Sequence, residues 1–514
     1  MNTTTANIAK HASTVAGATL LSRILGFVRD LIVAFALGAG PLADAFFVAF
    51  RIPNLLRRLF AEGSLTMAFV PVFTRMCHEQ GMDEARRMAR STLVWLVLVL
   101  GGVTALALIW ARPLTMLIAP GFGQDQAVLD AAVDLVRICF PYILFISAVA
   151  LSMGVLNSLG HFLLPALAPC FLNISLILAA LIAVGAGLSV PVCLAWGVLA
   201  AGAVQWLSQL PALHTRGVFW LGKWDPWHPG VKRVAALMLP TVFGAAVYQL
   251  NVVLNTVLAS FLAQGSISFL YYADRLVQFP LGVFGLAVST AALPSLSSLL
   301  AENKKTEFAR TLRSTVDLVL FISLPATAGL IALNMPMVDV LFGRGAFDAL
   351  AVQATAGALT GYALGLPAFC AVRSLVSALY ALEDTKSPVW AAVLSLVLNL
   401  ALGLGLMQVM GHVGLAIAVS LASWGNVLLL ARALNRHIGQ WFQPRGALLR
   451  MLALSCLLGL GCALSASWGW LSLAAIPVWA GGYMAVARLL RIPEAEIVLS
   501  GLRHRLKGKG SGAG

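Results

Sequence analysis

Charge is scarce in this chain. Its 514 residues include 34 Lys and Arg and 20 Asp and Glu, so charged side chains make up 11%. A soluble domain carries about 25%. Too little polar surface remains to cover a water-facing globule, which excludes a soluble protein. Acidic residues are the scarcer sign, and the net charge is +14. A nucleic-acid binder would carry such charge on a solvated face beside an ordinary core, which this composition does not offer. The seven cysteines contain no C-x-x-C pair and fall mostly in apolar runs, so neither a disulfide framework nor a zinc site is supported. The eight histidines never recur at metal-ligand spacing. No P-loop is present, which excludes ATP as the direct energy source. No Asp-rich cluster exists to hold Mg²⁺ on a diphosphate, which argues against a prenyl-phosphate enzyme. The first segment does not read as a cleavable signal, because Arg23 and Arg29 interrupt its apolar region.

What the chain has is apolar mass: 60% of it is hydrophobic, with a mean hydropathy of +0.91. A span needs about 20 predominantly apolar residues. Fourteen such stretches can be marked, near 13–37, 43–74, 91–111, 128–151, 163–186, 190–213, 234–262, 268–299, 314–334, 350–379, 388–409, 412–431, 449–467 and 470–487. An even number puts both termini on one side. With the termini inside, 24 Lys and Arg fall in cytoplasmic segments, and only Arg112 and Arg344 fall outside. That asymmetry predicts cytoplasmic N- and C-termini and accounts for the net charge without nucleic acid.

The sequence repeats at an offset of 223 residues. Glu84-Ala-Arg-Arg87-Met-Ala-Arg90-Ser91-Thr92 lies over Glu307-Phe-Ala-Arg310-Thr-Leu-Arg313-Ser314-Thr315, and Pro71, Pro113 and Pro165 match Pro294, Pro336 and Pro388. The repeat pairs spans one to six with seven to twelve and leaves two spans as an appendage. Six spans per copy is even, so the copies run in the same sense. They should be related by a pseudo-two-fold along the membrane normal with a substrate site between them, which is transporter architecture. Gly357, Gly361 and Gly365 supply a small-residue face for close helix packing.

Eight arginines remain within predicted spans: Arg23, Arg29, Arg51, Arg57, Arg58, Arg137, Arg275 and Arg373. Each costs about 2.5–3.5 kcal/mol near a helix centre, so intramembrane charge points to function by default. Arg137 and Arg373 stand alone in their spans, where either snorkelling from a helix end or a place on the cavity wall would account for them. The second span is different. Asp44, Arg51, Arg58 and Glu62 are spaced by seven, seven and four residues, which lays them on one helical stripe that must face a wet or protein-lined interior. Pro53, beside Asn54, predicts a local kink there. In the first span Arg23, Gly26 and Asp30 share a face, and Arg29 points about 120° away. Asp30, Asp44 and Glu62 can pair with the arginines and lower their burial cost. Arg51 precedes Pro71 by 20 residues and Arg275 precedes Pro294 by 19, which makes Arg275 the second-half counterpart of Arg51. A net-positive cavity wants an anion, and Arg suits bidentate binding of phosphate oxygens.

Several segments carry a family resemblance: Ser22-Arg-Ile-Leu-Gly-Phe-Val-Arg-Asp30, the run from Asp44 to Gly63 (Asp44-Ala-Phe-Phe-Val-Ala-Phe-Arg-Ile-Pro-Asn-Leu-Leu-Arg-Arg-Leu-Phe-Ala-Glu-Gly63), Pro120-Gly-Phe122, Pro165-Ala-Leu-Ala-Pro-Cys-Phe-Leu-Asn173 and Tyr271-Tyr-Ala-Asp-Arg-Leu-Val-Gln-Phe-Pro280. Over nearly the whole chain they resemble the MurJ (MviN) family of the multidrug/oligosaccharidyl-lipid/polysaccharide exporter superfamily. The resemblance implies a flippase that moves lipid II, the undecaprenyl-diphosphate-linked disaccharide-pentapeptide, from the inner to the outer leaflet of the bacterial inner membrane. It further implies alternating access between two six-helix lobes and a groove for the polyprenyl tail on spans thirteen and fourteen. Residues regarded as important in the family match at Ser22, Arg23, Arg29, Asp44, Arg57, Arg58, Glu62, Ser268 and Arg275, and Arg51 sits where the family carries a basic residue. Ser64, where Ala is common, and Leu382-Glu383-Asp384, which varies a loop motif, are small departures.

The expected protein is an all-α membrane transporter, not an enzyme, with fourteen transmembrane helices. Its expected divisions are an N-lobe at 1–222, a C-lobe at 223–445, a lipid-tail groove at 446–490 and a basic cytoplasmic tail at 491–514. Arg23, Arg29, Arg51, Arg57, Arg58 and Arg275, with Ser22, Asn54 and Ser268, are expected to hold the diphosphate and head group. Asp30, Asp44, Glu62 and Asp274 are expected to form the ion pairs that switch between inward- and outward-open states. No cofactor or metal is expected, and coupling to the membrane potential or to a sodium or proton gradient remains open. Expected partners are lipid II, membrane lipids and other cell-wall synthesis proteins. The alternatives are a flippase for another polyprenyl-linked glycan, a drug exporter, or a scaffold that binds lipid II without moving it.

Overall fold

The computed structural model describes residues 3–58, 64–282, 286–442 and 446–508, and all regular structure among them is helical. In hydrocarbon no water satisfies a backbone N–H or C=O, so long apolar segments close their hydrogen bonds within a helix. The first half of the chain forms α1 (Thr3–Leu37), α2 (Pro41–Leu56), α3 (Ser64–Glu79), α4 (Met82–Ile109), α5 (Ala111–Ile118), α6 (Gln126–Cys139), α7 (Tyr142–Ser158), α8 (Leu163–Ala186), α9 (Val190–Leu207) and α10 (Leu210–His214). A tight 3₁₀ turn at Pro120–Gln124 separates α5 from α6. The second half forms α11 (Pro229–Ser260), α12 (Ser266–Pro280), α13 (Leu286–Ala301), α14 (Lys305–Ala332), α15 (Asn334–Phe342), α16 (Ala349–Ala363), α17 (Leu366–Ala381) and α18 (Lys386–Ile438). After these come α19 (Gly446–Ser465), α20 (Trp470–Ala474), α21 (Ile476–Leu489) and α22 (Pro493–Gly508).

Nine helical stretches among the described residues are long and apolar enough to cross a membrane, so the chain is a multi-pass membrane protein. The expected second span takes in α2 and α3, and the expected eighth takes in α12 and α13. The expected eleventh and twelfth spans form the single 53-residue run α18. At 1.5 Å per residue this run is far longer than a bilayer is thick. It folds at Gly411, whose φ of 55° and ψ of −133° break the helix at a position that favours glycine. Asp384 starts α18: it accepts from the Ser387 hydroxyl and from the amides of Lys386 and Ser387. These bonds, those of Ser387 above all, hold the Asp384 carboxyl down at about 2.

The contacts divide the chain into two compact units, residues 1–268 with 344–348, and residues 269–343 with 349–514. This contact boundary lies beyond the repeat boundary at 222/223 because α11 packs on α3, α4 and α5. In the first unit, Phe69 and Phe73 of α3, Met88 of α4 and Leu151 and Val155 of α7 form a buried apolar core. In the second, Phe308 and Leu312 of α14, Leu375 and Leu379 of α17 and Leu430 and Leu434 of α18 do the same.

The repeated Arg-Ser-Thr motif has a structural job. Arg90 Nη1 donates to the Lys223 carbonyl at 3.0 Å, and Ser91 Oγ accepts from the Asp225 amide at 2.8 Å. Trp95 Nε1 donates to the Pro226 carbonyl at 2.8 Å, so α4 holds the segment that leaves the sixth expected span. In the second unit Arg313, at the equivalent position, lies 5.8 Å from the ring centre of Phe442, again just after the sixth span of its half.

Gly357 and Gly361 of α16, and Gly365 at the start of α17, face α18 as their spacing predicts. A Cβ on Gly361 would lie 2.7 Å from the Ala416 methyl, whereas one on Gly357 would meet only Val413 Cγ2, at 3.1 Å. Gly361→Val is therefore expected to cost about 1–3 kcal/mol of packing strain and to lower the melting temperature in detergent by several degrees, with Gly357→Ala costing less. Equal melting of both variants and the parent would refute the close approach.

Candidate functional site

Polar and charged groups gather in the first unit on α1 and α2. Arg29 Nη2 and Nε both donate to Asp30 Oδ1, at 2.7 and 3.1 Å, and Nη1 donates to Asn173 Oδ1 at 2.9 Å. The length of the Arg29 side chain bridges the angle that separates its face from that of Asp30. Asn173, on α8, in turn donates from Nδ2 to the Ser22 carbonyl at 3.0 Å. Ser22 thus takes part through its backbone. Sequence reasoning did not assign Asn173 to the site; its signals were an amide in the middle of an apolar run and its place at the end of the Pro165–Asn173 segment.

The stripe on α2 faces protein, as its spacing requires. Asp44 is buried, and it meets the start of α12 rather than an arginine. Its Oδ2 accepts from the Gly265 amide at 2.7 Å, and its Oδ1 accepts from the Ser268 amide at 2.8 Å and the Ser268 hydroxyl at 2.6 Å. A helix leaves its first N–H groups without partners and carries partial positive charge at that end. Asp44 therefore caps α12 from another helix, which corrects the expectation of an Asp44–Arg ion pair: amides at a helix start stabilise a buried carboxylate without a cation. Ser268, expected at the head group, is fully buried in this junction.

One turn pair along α2, Arg51 Nη1 donates to Thr256 Oγ1 and to the Val252 carbonyl of α11, the latter at 3.3 Å. Thr256 carried no signal in the sequence. The helix runs on through Pro53 and widens to a π turn at Arg57–Arg58. Asn54 Oδ1 accepts from Arg57 Nε at 3.0 Å, so Asn54 orients an arginine. Arg23, exposed on α1, and Arg58, half-buried, make no hydrogen bond or ion pair among the described residues. Glu62 lies outside the described residues.

The second unit holds the remaining candidates. Asp274 accepts from Gln278 Nε2, Arg275 Nη1 donates to Gln278 Oε1 at 3.3 Å, and the Arg275 guanidinium lies 4.6 Å from the centre of the Tyr271 ring. Arg137 pairs at 3.2 Å with Asp134, one turn earlier on an exposed face of α6.

These features agree with what the chain resembles. The family model described as lipid II flippase MurJ matches residues 33–486. A probable lipid II flippase MurJ of Vibrio cholerae is 40% identical over 444 residues, covering 84% of each chain. The lipid II flippase MurJ of Burkholderia cenocepacia is 39% identical, again covering 84% of each. Among solved structures, a lipid II flippase MurJ in an inward closed conformation superposes with a TM-score of 0.79 at 27% identity, covering 93% of this chain and 99% of that one. An inward-facing multidrug transporter of the MOP superfamily, at 14% identity and a TM-score of 0.69 over 84% of this chain and 98% of that one, shares the fold alone. An arginine-rich first unit, an internally repeated helical architecture and these matches along most of its length lead to one assignment: the chain belongs to the lipid II flippase MurJ family.

Proposed function

We infer that the chain moves lipid II across the bacterial inner membrane, from the inner to the outer leaflet, by alternating access. The observation that carries this reading is the pair Arg23 and Arg58, which lie on the same stretch of chain as Arg29, Arg51 and Arg57 and are left without a counter-charge from the described residues. Guanidinium groups in a low dielectric are costly until an anion arrives, and a diphosphate supplies oxygens that Arg can grip two at a time. Asp30 orients Arg29 and Asn54 orients Arg57, and Arg275 of the second unit is the repeat counterpart of Arg51. The polyprenyl tail then runs along α19 and α21, where Leu457, Leu460, Leu464 and Val478 are exposed. Both termini face the cytoplasm, which puts the Asp44–Ser268 junction at the outer end. Its bonds to a charged acceptor are worth about 1.5–3 kcal/mol each, and water can replace them, so the junction serves as an outer gate. Coupling comes from the membrane potential or a sodium or proton gradient, without a metal or organic cofactor, and the partners are lipid II, membrane lipids and enzymes of cell-wall synthesis.

Arg58→Glu is expected to abolish outer-leaflet exposure of lipid II in cells depleted of their own flippase, at unchanged membrane levels, with Arg58→Lys retaining part of it. Full export by the Glu variant would remove Arg58 from the head-group site. Asp44→Ala, which leaves the Gly265 and Ser268 amides unanswered, is expected to reduce export at least tenfold; export at the parental rate would dismiss the gate. Cysteines placed at 86 and 310 should resist an impermeant maleimide added outside intact cells while one at 112 reacts; the reverse pattern would invert the topology.

A further inference from the structure

The Pro120-Gly-Phe122 motif has no part in the arginine site, yet it makes one of the closest backbone approaches in the first unit. A Cβ on Gly121 would lie 1.9 Å from the Ser260 carbonyl oxygen and 2.6 Å from the Phe261 nitrogen. Only a residue without a side chain lets this turn lie against the last residue of α11. The Gly121 amide donates to Ser260 Oγ at 3.0 Å, and Phe122 is buried beneath the turn. Three residues on, Asp125 accepts from the Ala127 and Val128 amides through Oδ1, capping α6, while its Oδ2 accepts from Gln264 Nε2 at 2.9 Å.

The second half of the sequence supplies the mirror of this contact, and it too lies within the first unit. The Ala346 amide donates to the Phe35 carbonyl, in the last turn of α1, at 2.9 Å. A Cβ on Gly345 would lie 2.4 Å from that same Phe35 oxygen, and one on Gly38 would lie 2.3 Å from the Ala346 carbonyl oxygen. Phe347 is buried beneath this turn, and Asp348 stands 223 residues after Asp125, again just before a helix. Each half thus lends the turn between its third and fourth expected spans to the end of the first helix of the other half.

Both grips adjoin the Asp44 junction. The segment released by α1 at Gly38 leads into α2 and Asp44, and the segment released by α11 at Ser260 ends in Gly265 and Ser268, the groups that Asp44 holds. We propose that these two exchanged turns are the latches of the outer gate: they seat the ends of α1 and α11 so that Asp44 can close on Gly265 and Ser268, and they must let go for cargo to leave. Gly121, Gln264 and Asp125 are accordingly positioning residues for transport. The proposal rests on the flippase reading for what passes the gate and on the inferred topology for which side it faces.

The full-length chain tests it in cells. Ile267, buried between Gly265 and Ser268, is replaced by cysteine, and its reaction with an impermeant maleimide added outside is timed against the same chain with the latch intact. Gly121→Ala should raise the labelling rate at least tenfold and lower lipid II export. Gln264→Glu sets a carboxylate against Asp125 and should raise labelling too. Adding Asp125→Asn keeps an N-cap acceptor and gives the introduced carboxylate an amide donor, so the double variant should return labelling to within twofold of the parent. Unchanged labelling in Gly121→Ala or Gln264→Glu, at parental thermal stability, overturns the latches, as does a double variant no better than Gln264→Glu. If Gly121→Ala does not insert, the Gln264→Glu and double variants decide alone. Labelling needs no cargo: a parent chain that exports no lipid II yet shows the expected labelling refutes the flippase reading and leaves the latches standing.

Discussion

Lipid offers neither a hydrogen-bond partner nor a dielectric that tolerates charge, and each feature of this chain answers to that constraint. Its backbone answers by being helical wherever it is long and apolar. Its side chains answer by being mostly apolar, and the charged ones on α1 and α2 are largely answered by protein. There Arg29 is met by Asp30 and Asn173, and Arg51 by Thr256 and a carbonyl of α11. Arg23 and Arg58 have no such answer from the described residues. The proposed diphosphate site rests on the cost left standing at those two positions.

The internal repeat divides labour between scaffold and site. Several features are shared by both halves: Arg90 and Arg313 each secure the segment leaving a sixth span, and the turns around Gly121 and Gly345 each seat on a first helix. The crowd of arginines is confined to the first half. Duplication supplies matched helical frames, and divergence loads one of them with charge.

Movement is confined by the kind of contact at each level. The cores around Phe69 and Phe73, or Phe308 and Leu312, are apolar and fully buried, and parting them would open voids that lipid or water fills poorly. The Asp44 junction and the two exchanged turns are held instead by a few hydrogen bonds and close backbone approaches. Water can take over those bonds at modest cost, so the ends of α1 and α11 can open while the cores stay whole.

Much was legible in the sequence because hydropathy, charge and spacing are local. The apolar runs gave membrane helices, the stripe of Asp44, Arg51 and Arg58 required a protein-lined face, and the motifs from Ser22 to Pro280 pointed to the family that the comparisons bear out. Asn173 and Thr256 stayed hidden, since an amide or hydroxyl inside an apolar run does not declare which distant arginine it will meet. Asp44 misled for a related reason: a carboxylate near arginines in sequence suggests an ion pair, yet the start of α12, 221 residues away, supplied better donors. Sequence thus determined which segments must be helical and where charge had to be explained. Only the tertiary structure decided who answers each charge, because backbone amides and carbonyls are identical in every residue and become specific partners only through where the fold puts them.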